Sequence, residues 1–431
     1  MSITGATLQL SIRISACFVL VTAAAPTLVA ADGFHAGAAK VDITPPVGCP
    51  LWGYASRKDK PCTGIRDRLY ARALTISVGK RTMALVSLDL GRAPTRTSYQ
   101  RIQKQLRPGI ERLFLVASHT HHGPVIELDD WPSREKSYVR FLETRIIDVV
   151  RRAHKNEKPA RLHVLGLEVD FNRNRHSRLE HKIVDRTLTL LHVTDRQGKS
   201  LALAANFAAH PTMLERTVME ISADWPGAFS RMVEQKLDVP CLFLQGACGD
   251  LSVRANDSDP DVFGKNFAQA VLAAVAERKF SELQPGLATH EEWLTFKPRM
   301  KFDNIVVRLS LGMVFYPKLV NHYERAYREG VQTNLSVALL DEKLGIVGAS
   351  GEFFCGHALS LRRRARLPFV MFLGYCNGYQ QYFPTIEAAA EGGYGTEPYL
   401  APADLGSGER LTDRALIRLY QLRRMLPADP K

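Results

Sequence analysis

The sequence is poor in long apolar runs: beyond the N-terminus of its 431 residues, no stretch is long and apolar enough to cross a lipid bilayer. Internal repeats and low-complexity segments are also missing, and so is the H-E-x-x-H motif of helical zinc proteases. The apolar content of 45% and the charged content of 23% are ordinary for a folded globular protein. The chain is therefore long enough to bury a large core, and its chemistry must be sought in other motifs.

Acidic residues are scarcer than basic ones. The chain has 44 Asp and Glu against 57 Lys and Arg, which gives a formal net charge of +13. Such an excess suits nucleic acid or an anionic surface such as a layer of lipid headgroups. No nucleic-acid recognition motif is present, and the basic residues are scattered apart from the cluster at residues 362–366. We therefore expect no nucleic-acid partner and keep peripheral contact with a membrane as an open expectation.

The N-terminus carries a short apolar segment. Residues 14–28 are apolar and uncharged, follow Arg13, and are followed by the small residues Ala30 and Ala31. This pattern predicts a cleavable signal peptide over residues 1–31, with one mature domain over residues 32–431. The single positive charge leaves an uncleaved anchor as the alternative. We expect a secreted or periplasmic protein, with some association with a membrane as an option.

Cysteine is also scarce, with seven residues in the chain. Cys17 would leave with the signal peptide, and the remaining six form an even number, as expected for disulfides in an exported chain. The simplest pairing joins neighbours along the sequence. The spacings do not resemble those of a zinc finger. The predicted pairs are Cys49/Cys62, Cys241/Cys248 and Cys355/Cys376.

Short apolar strands alternate with amphipathic helices along the chain, and this order predicts an α/β fold with a mixed β-sheet core flanked by helices. Residues 72–78 and 82–88 form an expected hairpin. The other expected strands are 113–117, 161–169, 187–193, 201–209, 241–245, 335–340, 344–348 and 369–373. The expected helices are 97–106, 137–154, 225–237, 261–277, 317–328, 353–364 and 410–426. Apart from that helix at 317–328, residues 283–333 show no clear pattern.

Polar or ionisable residues follow several of these strands, at the edge where open α/β sheets build their sites. They are Asp89, His119, His210, Asp250 and Glu352. The densest stretch is LFLVASHTHHGP at residues 113–124. On an extended chain His119 and His121 would point the same way, roughly 6–7 Å apart. Two histidines from separate strand ends plus a carboxylate would suit zinc with one open position, although a cluster of surface histidines is the simpler alternative.

Two other histidine motifs do not fit this stretch. The metallo-β-lactamase pattern H-x-H-x-D-H fails because Gly123 and Pro124 stand where its Asp and His would be. The H-x-H motif of TIM-barrel amidohydrolases follows the first barrel strand, whereas at least three strand candidates precede His119. Zinc lowers the pKa of bound water to about 7 and polarises a carbonyl group, as amide or ester hydrolysis requires.

Several longer motifs occur in a particular order. The N-terminal part contains AAKVDITPP, GYA, GIRDRLYARAL, SLDLG and SHTHHGP, and the middle contains NFAAHPTM, ISADWPG and QGACGDLS. The C-terminal part contains GEFF, NGYQQYFPT and EGGY. In their order and spacing, over roughly residues 36–400, these motifs resemble the neutral/alkaline (non-lysosomal) ceramidase family.

The resemblance implies a set of site residues. The zinc ligands would be His119, His210, Glu352 and Tyr382. His121 would be a proton-transfer partner, and the oxyanion would be stabilised by Tyr394 and Arg173, with Arg175 as the competing arginine. Ser252 would be either a nucleophile or a hydroxyl that holds the loop. Three carboxylates could orient the ligand histidines or merely cap turns: Asp89, Asp224 and Asp250.

The implied activity is zinc-dependent hydrolysis of the N-acyl amide bond of ceramide, a lipid-like small molecule, to sphingosine and fatty acid. Full members of the family carry a C-terminal immunoglobulin-like domain, whereas only about thirty residues follow Tyr399 here, so we expect the catalytic domain alone. Two alternatives stay open: a zinc hydrolase of another amide or ester, and a non-catalytic exported binding protein. His122 stands where a small residue is common, and His122 as an extra metal donor would favour the binding protein.

Overall fold

The computed structural model describes residues 33–255, 258–277, 279–301, 304–314 and 316–429. The expected signal peptide and Cys17 lie outside the described residues. Within these ranges, no helix combines the length and the apolar character that a membrane span needs.

The described ranges contain nineteen strands and nine α-helices. The strands are β1 (His35–Asp42), β2 (Gly64–Ile65), β3 (Tyr70–Val78), β4 (Arg81–Leu88), β5 (Arg112–Ala117), β6 (Lys158–Glu168), β7 (Asn172–Asn174), β8 (Thr187–Asp195), β9 (Ser200–Phe207), β10 (Glu220–Ile221), β11 (Cys241–Gln245), β12 (Leu251–Val253), β13 (Ser281–Leu283), β14 (Leu287–Phe296), β15 (Val331–Leu340), β16 (Leu344–Ala349), β17 (Glu352–Phe353), β18 (Phe369–Leu373) and β19 (Tyr382–Phe383). The helices are α1 (Arg96–Leu106), α2 (Tyr138–Lys155), α3 (Asp224–Leu237), α4 (Pro260–Glu277), α5 (Ile305–Val314), α6 (Pro317–Tyr327), α7 (Cys355–Ala365), α8 (Ile386–Glu391) and α9 (Ser407–Leu422).

Two large sheets form the centre of the molecule. The first has the strand order β11-β9-β8-β6-β1-β3-β4-β5, with β13 paired to β6, and the second has the order β14-β15-β16-β18. The first sheet is mixed, because β4 and β5 run parallel, as do β9 and β11, whereas β3 and β4 form the expected antiparallel hairpin. The α/β fold with a mixed sheet flanked by helices is thus confirmed.

The sheets pack face to face and are covered by helices on their outer sides. Between them lies an apolar layer that includes Leu74, Phe114 and Leu244 from the first sheet and Ile346 and Met371 from the second. Helices α1 to α4 cover the outer face of the first sheet, and α6, α7 and α9 cover the second. Even β5 and β11, the end strands of the first sheet, are buried on both faces, which explains why 113–117 and 241–244 read as apolar runs.

The carboxyl ends of strands from both sheets meet at one edge. The amide of Ala117, which ends β5, donates to the carbonyl of Tyr375 beyond β18 at 3.2 Å. The amide of Gly374 donates to Gln245 at the end of β11 at 3.1 Å, and the amide of Gly246 donates to Phe207 at the end of β9 at 2.9 Å. The polar residues that follow these strands are thereby brought into one place.

Sequence patterns missed β14 and α5 in residues 283–333. Strand β14 lies at the edge of the second sheet and carries charged residues that pair with other elements instead of facing water. Glu292 bonds Arg414 and Arg418 of α9, and Glu291 contacts Arg112 of β5. These long-range ion pairs hide the alternation of apolar and polar residues by which strands are recognised.

The described cysteines are free thiols. Cys49 and Cys62 have their sulfur atoms 3.5 Å apart, whereas Cys241 begins β11 and Cys248 lies three residues beyond the end of that strand. Cys355 donates to Asp250 at 3.1 Å, and Cys376 packs between the sheets. The predicted pairs Cys241/Cys248 and Cys355/Cys376 are therefore wrong.

We predict that oxidised glutathione closes one disulfide, between Cys49 and Cys62. The backbones of the two residues are already joined, since the amide of Cys62 donates to the carbonyl of Cys49 at 2.7 Å. Closing this loop should stabilise the fold by roughly 3 kcal/mol. Peptide mapping under non-reducing conditions checks the link, with Cys49→Ser as the control that gains no stability from the oxidant. Six alkylatable thiols in the oxidised, unfolded chain over residues 32–431 would contradict the prediction.

Candidate metal centre

Three donor groups converge at the shared strand edge. His119 follows β5, His210 follows β9, and Glu352 begins β17 just beyond β16. The Nε2 atoms of the two histidines are 3.0 Å apart. The Oε2 atom of Glu352 lies 3.3 Å from His119 Nε2 and 3.2 Å from His210 Nε2. All three side chains are buried, so the arrangement is enclosed by protein.

Hydrogen bonds to backbone carbonyls orient both imidazoles. His119 Nδ1 donates to the carbonyl of Gly91 at 2.8 Å, and His210 Nδ1 donates to the carbonyl of Cys248 at 2.7 Å. A carbonyl can only accept, so the proton is on Nδ1 and each Nε2 presents its lone pair to the cluster. Burial and the charge of Arg175 lower the pKa of His210 to about 3, which keeps this imidazole neutral at pH 7.

Glu352 is held as a carboxylate. Burial alone would raise its pKa. Two phenols donate to it, Tyr375 to Oε2 at 3.3 Å and Tyr379 to Oε1, and hydrogen bonds donated to a carboxylate favour its charged form. The carboxylate is therefore fixed in orientation, with one oxygen facing the two histidines.

This donor set fits a metal ion. Three lone-pair atoms separated by 3.0–3.3 Å repel one another unless a cation lies among them. Zinc–nitrogen bonds of 2.0–2.1 Å in a tetrahedral site place neighbouring donors about 3.3 Å apart, close to the separations seen here. His121 extends the cluster, since donor atoms of His119, His121 and His210 all lie within 4.8 Å of one another.

His121 reaches the cluster from a turn, and the expected extended chain is wrong at this point. His119 has a φ of +72°, which breaks the strand and brings His121 Nε2 to 3.4 Å from His119 Nε2. The ring of His121 is flanked by Trp52 and Tyr54. Gly53 between those two residues has a φ of +106°, and a Cβ there would lie 2.5 Å from His121 Cγ, so only glycine fits.

Arg175, and not Arg173, reaches the cluster. Arg173 lies on β7 with its side chain exposed, whereas the Nη2 atom of Arg175 is 2.9 Å from His210 Nε2. The same atom donates to the carbonyl of Gly249 at 2.9 Å and to the hydroxyl of Tyr382 at 3.3 Å. Of the two candidate arginines, Arg175 is therefore the one that the structure places at the cluster.

The structure brings Tyr382 to the cluster and places Tyr394 at its rim. Tyr382 is the register partner of Glu352 in the parallel pair of β17 and β19, and its side chain is buried. The ring of Tyr394 lies 5.7 Å from that of Tyr382 and is 63% exposed.

Ser252 lies beside His210 in a backbone bridge, but among the described residues its hydroxyl bonds no histidine or carboxylate. The position of Ser252 favours a structural role.

None of the three candidate carboxylates contacts a ligand imidazole. Asp89 pairs with Arg72 at 2.9 Å, and Asp250 accepts from the amide of Cys355 at 2.7 Å. Asp224 accepts from backbone amides at the start of α3 and before it, including that of Trp225 at 2.7 Å. These acids hold the backbone of the surrounding loops, and the carbonyls of Gly91 and Cys248 orient the histidines.

His122 points away from the donor cluster. Its Nε2 accepts a hydrogen bond from Arg57, whose guanidinium also donates to the carbonyls of His121 and Arg216 at 2.6 and 2.9 Å. Burial and the charge of Arg57 lower the pKa of His122 to about 3. His122 thus fixes the loop and does not act as the extra donor that would have favoured a binding protein.

A cleft of about 750 Å³, including its open part, leads to the cluster. Its inner end is formed by His121, Glu352 and Tyr382. Much of the remaining wall is aromatic or aliphatic: Leu51, Trp52, Val125, Tyr316, Leu319, Tyr323 and Leu400. The aromatic and aliphatic part of this wall suits a substrate with an apolar chain.

Sequence reasoning missed Gln245, Tyr375 and Tyr379. Gln245 is buried at the end of β11, and its Nε2 donates to the carbonyls of Ser118 and Ala209, both at 2.9 Å. These two residues directly precede His119 and His210, so one amide ties the two histidine loops together. A polar residue at the end of an apolar strand was the available signal for Gln245. The two phenols gave no signal beyond their place in a tyrosine-rich loop.

We predict that Gln245→Ala lowers the free energy of unfolding by about 2–4 kcal/mol, because it leaves two buried carbonyls without a donor. The affinity for a divalent metal ion should fall as well, since His119 and His210 lose their common anchor. Denaturant unfolding and metal titration measure the two effects. Gln197→Ala, in the exposed turn between β8 and β9, is the control. A Gln245→Ala protein with the parent's stability and metal affinity would contradict this role.

Comparison with known proteins places the chain in a family. A family model described as neutral/alkaline non-lysosomal ceramidase, N-terminal, matches residues 34–252, about half of the chain. Neutral ceramidase 1 of Arabidopsis thaliana is 29% identical over 224 residues, which cover 46% of this chain and 28% of that protein. The chain thus aligns with less than a third of this relative's length.

Solved structures share the fold over almost the whole chain. The crystal structure of neutral ceramidase from Pseudomonas aeruginosa superposes with a TM-score of 0.76 at 19% identity, covering 93% of this chain and 76% of that one. A structure described as ceramidase complexed with C2 gives a TM-score of 0.76 at 18% identity, covering 93% and 77%. The resemblance seen in the motifs is confirmed: the chain belongs to the neutral/alkaline non-lysosomal ceramidase family.

Proposed function

We propose that the chain is a zinc-dependent amidohydrolase that cleaves the N-acyl amide bond of ceramide to sphingosine and fatty acid. The observation that carries the proposal is the convergence of His119 Nε2, His210 Nε2 and Glu352 Oε2 within 3.3 Å beside a cleft whose wall is partly aromatic and aliphatic. Membership of a ceramidase family implies a lipid substrate and a metal, which agrees with both the cleft and the donor set.

His119, His210 and Glu352 would hold the zinc, with the phenol of Tyr382 as the fourth ligand that the resemblance implies. When bound, zinc supplies a Lewis acid for the amide carbonyl and lowers the pKa of a coordinated water. The protein's contribution is to fix both imidazoles through the carbonyls of Gly91 and Cys248 and to fix the carboxylate through two phenols.

Arg175 supplies positive charge where negative charge develops. Its guanidinium is buried and stays charged, because Tyr382 and Glu352 outweigh the effect of burial and raise its pKa. Hydrolysis of an amide passes through a tetrahedral species with a negative oxygen, and a preorganised donor in a buried site stabilises that oxygen strongly. Tyr394 at the rim offers a second hydroxyl on the substrate side of the cluster.

His121 is the proposed general base. Burial and the neighbouring His119 and His210 hold its pKa well below the usual range, so the imidazole is neutral and can accept a proton. Its Nδ1 has no hydrogen-bond partner among the described residues, and its Nε2 faces the cluster. As the amide bond breaks, the protonated imidazole would give this proton to the nitrogen, so that the product leaves as a neutral amine.

Two features bear on the alternatives. The bond from Arg57 to His122 removes the arrangement that would have favoured a non-catalytic binding protein. Hydrolysis of another amide or ester remains the second candidate, because the same donors would serve it, and a substrate panel separates the two.

Export through a signal peptide and peripheral contact with a membrane remain part of the proposal, supported by the apolar N-terminus and the charge of +13.

We predict that the purified protein binds one zinc per chain and releases fatty acid from a fluorescent N-acyl sphingosine. A chelator should abolish both, and added zinc should restore both. His119→Ala should lose zinc and activity, whereas His163→Ala on β6 should keep them, since His163 bonds Thr194 far from the cluster. Bound zinc without turnover would reject ceramide as the substrate, and absence of zinc would reject the centre.

We predict a large fall in kcat when one of two neighbouring arginines is removed and almost no change when the other is removed. Arg175→Ala should lower kcat by about 10²–10³-fold, as the loss of one oxyanion donor does in other hydrolases. Arg173→Ala should leave kcat within about twofold, because its side chain is exposed. Steady-state kinetics on the same N-acyl sphingosine tests both, with zinc content measured for each variant. An effect of Arg173→Ala equal to that of Arg175→Ala would contradict the assignment.

A further inference from the structure

A second cavity lies between the start of α1 and helix α6, and arginines dominate its wall. Arg92, Arg96, Arg325 and Arg328 line it together with uncharged polar residues such as Thr97 and Gln332. Its acidic lining residue is Glu329, which is exposed. Tyr323 and Tyr379 line both this cavity and the cleft, so the two cavities are neighbours.

The positive charges in this cavity are incompletely neutralised. Among the described residues, no carboxylate lies within the 4.0 Å ion-pair distance of Arg96 or Arg325. Arg92 is 3% exposed and its Nη1 atom lies 3.3 Å from Glu127, and Arg328 lies 3.5 Å from Glu324. Arg96 and Arg325 are therefore the arginines of this wall that an anionic ligand oxygen would pair.

The first turn of α1 adds to this positive field. Thr95 caps the helix by accepting from the amide of Ser98, and no acidic residue follows in the first turn. Arg96 stands there instead, although a cation at a helix N-terminus is unfavourable because the helix dipole is positive at that end. Free amides at a helix start and nearby guanidinium groups together form a strong attractor for an anion.

The side chain of Arg96 is held in place before any ligand arrives. Its guanidinium stacks on Trp293 with the central carbon 4.5 Å from the ring centroid, and it contacts the side chain of Gln332. A preorganised guanidinium loses little freedom on binding. Several guanidinium groups facing one space match a tetrahedral oxyanion, which has enough oxygen acceptors to bond more than one of them.

We propose that this cavity binds a phosphate group, supplied either as free phosphate or as the headgroup of an anionic lipid. The site stands apart from the donor cluster of His119, His210 and Glu352. The proposal therefore does not depend on the hydrolase activity. Arg96 and Arg325 are the primary contacts, with Arg92 at the buried end.

Isothermal titration with inorganic phosphate, against chloride at equal ionic strength, tests free phosphate. The double variant Arg96→Ala/Arg325→Ala should bind phosphate about tenfold or more weakly than the parent. The matched control Arg196→Ala/Lys199→Ala removes two exposed cations from the β8–β9 turn, at the opposite edge of the sheet, and should bind as the parent does.

Sedimentation with phosphatidylcholine vesicles, with and without phosphatidylglycerol, tests the headgroup. Binding that needs phosphatidylglycerol and is lost in Arg96→Ala/Arg325→Ala, but not in the control, identifies a lipid source. Binding of inorganic phosphate alone identifies free phosphate. Absence of both, or equal binding by the double variant and the control, overturns the proposal.

A third variant should lose phosphate binding while its melting temperature rises. Thr97→Glu places a carboxylate in the first turn of α1 at the cavity wall, where it should neutralise the arginines and complement the helix dipole. Its melting temperature should rise by roughly 1–3 °C. Its phosphate binding should disappear although every arginine is retained. Unchanged phosphate binding would overturn the proposal whatever the melting temperature.

Discussion

Three buried acceptor atoms that lie within 3.3 Å of one another impose the constraint on which the rest of this structure depends. Two imidazole lone pairs and a carboxylate oxygen repel each other, so the fold must hold them together against that repulsion. It does so with the carbonyls of Gly91 and Cys248 on the histidines and with two phenols on Glu352. A bound cation would turn this local repulsion into attraction, and the site would then stabilise the fold.

The constraint explains why the site needs both sheets. His119 and His210 follow strands of the first sheet, whereas Glu352 and Tyr375 follow strands of the second. The donor cluster therefore exists only when the two sheets are packed, and Gln245 sets the spacing of the histidine loops within that packing. The same elements serve stability and chemistry at this edge, since each element that positions a donor side chain also packs in the core.

The sequence could predict most elements and the three principal donors, because a polar residue after a buried strand is a local signal. Long-range geometry was beyond it. Whether Arg173 or Arg175 faces inward depends on the pairing of β7 with β12 and on the end of β7 at Asn174. Neither can be predicted from the local sequence pattern. The positive φ of His119 likewise overturned the extended spacing of His119 and His121. Two predicted cysteine pairs were wrong and β14 was missed for the same reason, since both depend on partners distant in the chain.

The family match and the geometry support different halves of the site. The matched region, residues 34–252, includes His119, His121, Arg175 and His210, whereas Glu352 and Tyr382 lie beyond it. What joins the halves is position: Glu352 touches both histidines, and Tyr382 is its register partner on β19. The central claim is therefore structural, namely that these four side chains surround one ion.

The most direct test is a crystal structure of the zinc-loaded protein with anomalous diffraction recorded on both sides of the zinc absorption edge. The account predicts one strong anomalous peak bounded by His119 Nε2, His210 Nε2, Glu352 Oε2 and the hydroxyl of Tyr382. A peak coordinated by His119, His121 and His210 without Glu352, or no peak at this edge of the sheets, would contradict it.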